Sequence, residues 1–157
     1  MLTLYHGSNL VFDRPDLNAA RSYRDFGLGF YTTTLRSQAE DWARTVSKRF
    51  GGEPHLYTFT FEVTPELVVK EFPGICVEWL DMVKTNRLSG GVQHGFDVVI
   101  GPVANDNTIR TVSLYVAGVY SAEEAMMRLR YFQANDQLSI HTRRALQHLT
   151  LKGRENV

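Results

Sequence analysis

The chain has 157 residues, enough for one domain over residues 1–157 whose core needs no disulfide. Lys plus Arg and Asp plus Glu number 17 each, so the overall basic field of a non-specific nucleic-acid binder is absent. A single cysteine, no signal peptide and no run of about 18 apolar residues indicate a cytoplasmic protein with no membrane contact.

The first half of the chain predicts short strands around one helix. The predicted elements are strands over residues 2–5, 30–33, 55–63 and 67–70, a loop over residues 9–26 and a helix over residues 37–50. Ser37 and Glu40 form an S-x-x-E capping box at the helix start, and Gly51 ends the helix. The predicted buried face carries Ala39, Trp42, Ala43 and Val46.

The second half predicts more helix than strand. The predicted elements are helices over residues 75–88, 108–117, 121–132 and 143–148 and strands over residues 96–100, 137–140 and 149–151. Ser121 and Glu124 repeat the capping box, and we expect residues 152–157 to form a flexible tail. Strands and helices follow one another without regular βαβ alternation, so the fold class is α+β.

The common catalytic signatures are missing from this sequence. The five histidines lack metal-ligand spacing, and there is no P-loop, no G-x-G-x-x-G fingerprint and no G-x-S-x-G elbow. Three local patterns remain, over residues 5–9, 25–33 and 135–140. Each places polar or aromatic side chains beside a strand, and the first two add glycines where a ligand could come close. Each pattern alone is equally typical of an ordinary turn, bulge or strand start.

Taken together and in this order, the three patterns resemble the NAD-binding motifs of ADP-ribosyltransferases of the diphtheria-toxin and PARP type. Residues 4–149 resemble a bacterial family of uncharacterised ADP-ribosyltransferase-like domains, and residues 38–43 and 100–106 strengthen that resemblance. The resemblance implies a split antiparallel β-sheet core with surrounding helices, NAD as the substrate, and no metal.

The resemblance also implies roles for individual residues. His6 matches the histidine that bonds to the 2′-hydroxyl of the adenine-side ribose, and Gly7 matches the glycine whose backbone holds the nicotinamide amide. Tyr31 matches the tyrosine that stacks on the nicotinamide ring. The further NAD contacts that we expect are Ser8 and Gly29 in the same motifs and Arg21 in the loop between His6 and Tyr31.

The third catalytic position departs from the standard His-Tyr-Glu triad. Gln137 stands where the resemblance places the catalytic glutamate. A glutamine accepts a hydrogen bond but brings no charge and no general base, which favours transfer of one ADP-ribose unit over polymer synthesis. A register shift of one residue would place Asp136 in the site instead, and Gln133 is a weaker candidate.

Other positions allow two interpretations. Trp42 stands where PARP-type enzymes have a second stacking aromatic, but its helix favours a core residue. Arg21 and Arg24 could contact the pyrophosphate or belong to a solvated loop. Asn105 and Asp106 could line the cleft or begin the next helix.

The leading hypothesis is an NAD-dependent mono-ADP-ribosyltransferase that modifies a macromolecule, protein or nucleic acid. By analogy with small bacterial relatives it would be the toxin of a toxin–antitoxin or phage-defence system, with an antitoxin protein as partner. The alternatives are a non-catalytic module that binds NAD or ADP-ribose and an NAD glycohydrolase. An RNA phosphotransferase shares the fold, but its arginine set is not evident in the sequence.

Overall fold

A computed structural model describes residues 1–104, 108–129 and 135–157. Its strands are β1 (Leu2–Ser8), β2 (Phe30–Thr32), β3 (His55–Phe61), β4 (Val69–Glu71), β5 (Val98–Gly101), β6 (Gln137–Ile140) and β7 (Leu149–Asn156). Its helices are α1 (Arg36–Phe50), α2 (Val77–Ser89), α3 (Ile109–Val116), α4 (Ala122–Leu129) and α5 (Arg143–Leu146). The predicted loop over residues 9–26 holds one short 3-10 turn, Leu17–Ala19. The predicted end of the fourth helix, at residue 132, lies outside the described residues.

Two separate sheets confirm the α+β class. The first sheet has the order β1-β3-β7 and is antiparallel throughout. The second has the order β2-β6-β5-β4, and its β4–β5 pair is parallel, so the expected purely antiparallel core is wrong for this one pair. In the described part of the chain, one β-bridge, between Tyr5 and Thr33, joins the two sheets.

The described residues form two hydrophobic cores, one beneath the helices and one shared by the two sheets. The core beneath the helices is built from Phe26, Phe72, Trp79, Leu80, Val83, Val99, Val112, Tyr115, Ala125 and Leu129. The core between the sheets is built from Leu4, Tyr57, Phe59, Phe61, Leu67, Val98, Leu138, Ile140 and Ala145. No helix among the described residues is long and apolar enough to cross a membrane.

The expected flexible tail is instead the greater part of β7. His55 pairs with Asn156, and Tyr57 pairs with Arg154, so β7 lies antiparallel along β3. The backbone N–H of Val157 donates to Pro54 O at 3.0 Å. Residues 152–156 are exposed on the sheet edge. Their polar composition therefore suits a solvent-facing edge strand, which from sequence alone cannot be told from a tail.

The capping box predicted for α1 is wrong. The helix begins at Arg36, and Ser37 lies inside it without capping a backbone group. The turn before the helix is closed by other groups: Leu35 N donates to Thr33 Oγ1 at 3.0 Å, and Thr34 N donates to Asp136 Oδ1 at 2.9 Å. A partner 102 residues away in the chain thus fixes this end of the helix.

Trp42 corrects the predicted buried face of α1. Ala39, Ala43 and Val46 are buried as expected, whereas Trp42 is 43% exposed. Trp42 lies at the margin of the apolar stripe and faces an open cleft beside β1. The interpretation of Trp42 as a core residue is therefore wrong.

Candidate functional site

A cleft of about 850 Å³ opens where the two sheets separate, which is within the usual size range of small-molecule sites. Residues from β1, the loop before β2, β2 itself, α1, the segment after β5 and the start of β6 line this cleft. Its polar and aromatic lining includes His6, Gly7, Arg24, Asp25, Tyr31, Gln38, Trp42, Arg49, Arg87 and Gln137. A second cleft of about 630 Å³ adjoins it and shares Val103, Asn135 and Gln137.

The backbone of Gly7 faces the opening between β1 and β2. Tyr5 N and Tyr5 O both bond to Thr33, at 2.8 and 2.9 Å, so these groups point away from β3. In an antiparallel ladder every second residue points the same way, and the N–H and C=O of Gly7 therefore also point toward β2. The bridge ends at Tyr5, which leaves one donor and one acceptor of Gly7 at the cleft wall.

At Gly7 the backbone of α1 packs directly against β1. A Cβ atom at this position would lie 2.0 Å from Ala39 O and 2.8 Å from Ala43 N. Only glycine allows the helix backbone to approach β1 this closely. The same residue thus sets the position of α1 and exposes its own backbone to the cleft.

The His6 side chain bonds to the backbone carbonyl of Tyr31. If the ladder between β1 and β2 continued beyond Tyr5, this carbonyl would face Gly7. The Nδ1 atom of His6 lies 2.6 Å from Tyr31 O, and the His6 ring stacks on Phe30 with centroids 4.5 Å apart. Burial lowers the pKa of His6 to about 4, so the ring is neutral at pH 7. A carbonyl only accepts, so Nδ1 carries the proton and Nε2 is a bare acceptor. Among the described residues Nε2 has no hydrogen-bond partner.

The Tyr31 hydroxyl is fixed by two hydrogen bonds, and Arg24 lies over the Tyr31 ring. The hydroxyl donates to Gly27 O at 2.6 Å and accepts from Phe26 N at 3.0 Å. Burial raises the pKa of Tyr31, so the phenol stays protonated. The guanidinium of Arg24 lies 5.2 Å from the ring centroid, in a cation–π contact. The ring is thus a fixed aromatic plate already occupied by a flat cation.

Gln137 is the first residue of β6, and two hydrogen bonds fix the orientation of its side-chain amide. Its Nε2 donates to Asp25 Oδ2 at 2.9 Å and to Pro102 O at 3.0 Å. Both amide protons are thereby used, because two acceptors surround the nitrogen. The carbonyl oxygen Oε1 is the remaining polar atom of this side chain, and Gln137 lines both clefts.

Asp25 is a buried carboxylate that accepts hydrogen bonds on both oxygens. Arg87 donates to Oδ1 from Nε at 3.0 Å and from Nη2 at 2.5 Å. Ala104 N donates to Oδ2 at 2.9 Å, beside the bond from Gln137. Asp25 therefore ties the loop before β2 to α2, to the segment after β5 and to β6.

The predicted residues separate into two groups. His6, Gly7, Tyr31, Arg24, Trp42 and Gln137 lie together around the cleft. Ser8, Arg21, Gly29 and Asp136 are not among the residues that line it. Asn105, Asp106 and Gln133 lie outside the described residues.

Each of the four residues away from the cleft has a local role. Ser8 Oγ accepts from Leu10 N at 3.0 Å in a turn, and the Arg21 guanidinium lies 5.4 Å from the Phe50 ring centroid. A Cβ atom at Gly29 would lie 2.7 Å from His141 Nδ1. Asp136 bonds through both carboxylate oxygens to Thr33 and Thr34. Its carboxylate thus closes the turn between β2 and α1.

Sequence reasoning missed four charged residues of the cleft, which are Asp25, Asp41, Arg49 and Arg87. Asp25 opens the second motif without a ligand signal of its own, and Arg49 and Arg87 belong to helices whose patterns carry none either. The one sequence signal for Asp25 was its position beside the glycine loop over residues 26–29, since an aspartate is rarely buried without a partner. Arg49 and Arg24 have no ion-pair partner among the described residues, so they leave this part of the cleft positive.

Two histidines, the half-buried His94 and the buried His141, hold the glycine loop over residues 26–29, which lies between Asp25 and Tyr31. His94 Nε2 lies 2.8 Å from Phe26 O, and His141 Nδ1 lies 2.8 Å from Leu28 O. His141 Nε2 lies 2.7 Å from Ser139 Oγ. The prediction that the glycines of this loop admit a ligand is therefore not supported at Gly29, which packs on His141 instead.

Low pH should destabilise the protein because His141 is neutral in the folded state. Burial lowers the pKa of His141 from 6.5 to about 4, so the folded state keeps the ring neutral while the unfolded chain takes up a proton. The free energy of unfolding should fall as pH drops from about 6.5 to 4, by up to about 3 kcal/mol from this residue. Chemical denaturation at several pH values measures it.

The matched variant for this prediction is His141→Gln. It should lower stability at pH 7 yet flatten the dependence on pH between 6.5 and 4. An unchanged slope in the variant would show that His141 does not titrate as described.

The described part of the chain contains no cluster of three or more His, Cys, Asp or Glu side chains suited to a metal ion. The cleft instead combines neutral acceptors, an aromatic plate, backbone groups of Gly7 and the guanidinium groups of Arg24 and Arg49. Such a set can bind a flat ring, hydroxyl groups and an anion in one molecule.

Comparisons with known proteins add one finding. A family model described as "Protein of unknown function (DUF3990)" matches residues 2–151 of the chain. No curated protein and no solved structure matches the chain.

Proposed function

The chain belongs to the DUF3990 family, whose description gives no function, and we propose that it is an NAD-dependent mono-ADP-ribosyltransferase of the split-sheet kind. The observation that carries the proposal is the gap between β1 and β2. There the N–H and C=O of Gly7 point toward β2, and Gly7 and Tyr31 line the same cleft.

The nicotinamide end of NAD fits this gap. A carboxamide needs one acceptor and one donor side by side, and Gly7 offers both from its backbone. The nicotinamide ring of NAD is a flat cation, and Tyr31 already holds the flat cation of Arg24 on its face. In the bound state the nicotinamide ring replaces the guanidinium, and Trp42, which also lines the cleft, supplies further aromatic surface.

The sugar and phosphate groups fit the remaining polar lining. His6 Nε2 accepts a hydrogen bond from the adenine-side ribose hydroxyl, and Gln137 Oε1 accepts one from the nicotinamide-side ribose. Arg24, once it has left Tyr31, and Arg49 pair with the pyrophosphate. Arg49 takes the place of Arg21 in this role because Arg49 lines the cleft and Arg21 does not.

The chemistry breaks the bond between ribose C1′ and the nicotinamide nitrogen. The electron pair of that bond stays with the nitrogen, so neutral nicotinamide leaves and the positive charge passes to the ribose. A hydroxyl, amine or carboxylate of the acceptor then bonds to C1′, and an acceptor that carries a proton loses it to solvent. Gly7 and Tyr31 orient the leaving ring, and Gln137 holds the ribose.

The acceptor in this proposal is a macromolecule, protein or nucleic acid. A role as the toxin of a toxin–antitoxin or phage-defence system, opposed by an antitoxin protein, rests on the resemblance alone.

Release of nicotinamide from NAD by the purified protein tests the activity. Release that requires cell lysate and disappears in His6→Ala would support transfer to an acceptor, with circular dichroism confirming that the variant is folded. Release without lysate would identify a glycohydrolase. No release under either condition would reject the enzyme.

A second candidate is a module that binds NAD or ADP-ribose without turnover. The observation that favours it is the neutral amide at position 137, with the nearby carboxylate of Asp25 already bonded to Arg87. Saturable binding of NAD by calorimetry together with no nicotinamide release would select this candidate.

The proposed contact at His6 predicts preference for NAD over NADP. A 2′-hydroxyl can donate to the bare Nε2 atom, whereas the 2′-phosphate of NADP at pH 8 has no proton to give. NAD should bind about 10-fold or more tightly than NADP, since an unmatched polar group costs about 1–3 kcal/mol. Calorimetry at pH 8 measures both affinities. Equal affinities would remove His6 from the ribose site.

A further inference from the structure

Asp25 and Gln137 form a buried pair behind the proposed ribose contact. Asp25 is 7% exposed and Gln137 is 6% exposed, and Gln137 Nε2 lies 2.9 Å from Asp25 Oδ2. Arg87 and Ala104 N hold the carboxylate on its other sides, so Asp25 cannot turn away. Pro102 O takes the second amide proton of Gln137.

We infer that Asp25 is the positioning residue of the site: it holds the Gln137 amide with Oε1 toward the cleft, ready for the ribose hydroxyl. This inference rests on the proposed function for the identity of the ligand, though the Asp25–Gln137 pair can be tested without NAD. Rotation of the Gln137 amide by half a turn would bring its oxygen against Asp25 Oδ2 and Pro102 O, two acceptors with nothing to donate. The correct orientation is therefore set by Asp25 and Pro102 together.

The same geometry explains why position 137 suits an amide better than the carboxylate of the standard triad. An ionised glutamate here would place a second carboxylate near Asp25 and would lose both donors. Among the described residues, the charged group that bonds to Gln137 is Asp25, and Arg87 pairs with Asp25 behind it. Asp136 is turned toward Thr33 and Thr34, and Arg24 lies over Tyr31. Two carboxyl groups at this distance do not both ionise at neutral pH, so a glutamate would keep its proton.

The first test is titration of Gln137→Glu by NMR of ¹³C-labelled glutamate carboxyl groups. The new carboxyl should titrate at least about one pH unit above that of the exposed control Gln147→Glu. Because the proton is held in the folded state, the melting temperature of Gln137→Glu should also fall as pH rises through this midpoint. An ordinary midpoint, with a melting temperature that follows the control, would overturn the inference whatever the protein does to NAD.

The second test combines Gln137→Glu with Asp25→Asn. An asparagine amide at position 25 can donate to the new glutamate, so the double variant should titrate close to the control. A midpoint as high as in Gln137→Glu alone would show that Asp25 is not the group that raises it, and would overturn the pairing.

The functional test uses Asp25→Asn alone, with nicotinamide release and NAD affinity measured side by side. We expect kcat to fall at least about 10-fold while the dissociation constant of NAD changes less than about 3-fold, because position rather than affinity is lost. An unchanged kcat in a folded variant would overturn the positioning role. If the wild-type protein releases no nicotinamide, that role is also rejected, while a raised midpoint in Gln137→Glu would still establish the pair.

Discussion

Replacement of Gly7 by alanine should lower the free energy of unfolding by about 3 kcal/mol or more, a large share of the roughly 5–15 kcal/mol that keeps a typical protein folded. The new Cβ would lie 2.0 Å from Ala39 O and 2.8 Å from Ala43 N, both backbone atoms of α1. A helix backbone cannot move aside as a flexible side chain can, so α1 must shift away from β1. Urea denaturation followed by circular dichroism gives the change in the free energy of unfolding.

Gly153→Ala is the matched control for this prediction. Gly153 also lies on a strand, in β7, and nothing stands within 4 Å of an added Cβ. The control should unfold within about 0.5 kcal/mol of the wild type, as surface substitutions commonly do. A Gly7→Ala protein as stable as Gly153→Ala would contradict the close contact between β1 and α1.

Replacement of Tyr31 by alanine should reduce nicotinamide release by about 100-fold, since a misplaced reacting group costs about that much. On the proposed site the ring orients nicotinamide, and its hydroxyl anchors Phe26 and Gly27 next to Asp25. Both functions disappear in the variant. A fluorescence assay of nicotinamide release under saturating NAD measures the effect.

Tyr31→Phe separates the two functions of this side chain. It keeps the ring and removes the bonds to Gly27 O and Phe26 N, so its loss of activity should be below about 10-fold, with a lower melting temperature. If Tyr31→Ala retained the activity of Tyr31→Phe, the ring would have no part in orienting nicotinamide.

Local patterns in the sequence predicted most elements of this fold. The alternation over residues 55–63 and the apolar run over residues 96–100 correspond to β3 and β5, because strand periodicity depends on neighbours in the chain. The Ser121 capping box is also present, with Glu124 N donating to Ser121 Oγ at 3.1 Å. The parallel β4–β5 pair could not be predicted, because pairing between distant strands leaves no local pattern.

The errors in the fold come from partners far apart in the sequence. The start of α1 is set by Asp136 rather than by Ser37, and β7 is ordered by pairing with β3. Trp42 has the spacing of a buried residue, but the groove beside β1 leaves it exposed. None of these partners can be identified by periodicity within one element.

The sequence predicted residues of the candidate site only where a family resemblance or the type of residue indicated a role. His6, Gly7, Tyr31 and Gln137 do lie around one cleft, and their roles there stay predictions. Asp25 could not be found by the same reasoning, because its importance lies in bonds to Arg87, Ala104 and Gln137, up to 112 residues away. The role of a carboxylate in a network depends on which groups the fold brings to it.

Among the described residues, the Tyr5–Thr33 bridge and the hydrogen bond from His6 to Tyr31 O join β1 to β2, so side-chain packing does most to keep the two sheets in register. A molecule that bonds to the Gly7 backbone on β1 and stacks on Tyr31 of β2 would link the two strands where the ladder between them is interrupted. Its binding would raise the melting temperature in proportion to the logarithm of its concentration. It would also slow hydrogen exchange at the Gly7 amide, whereas a molecule bound only in the neighbouring 630 Å³ cleft would leave that amide exchanging as before.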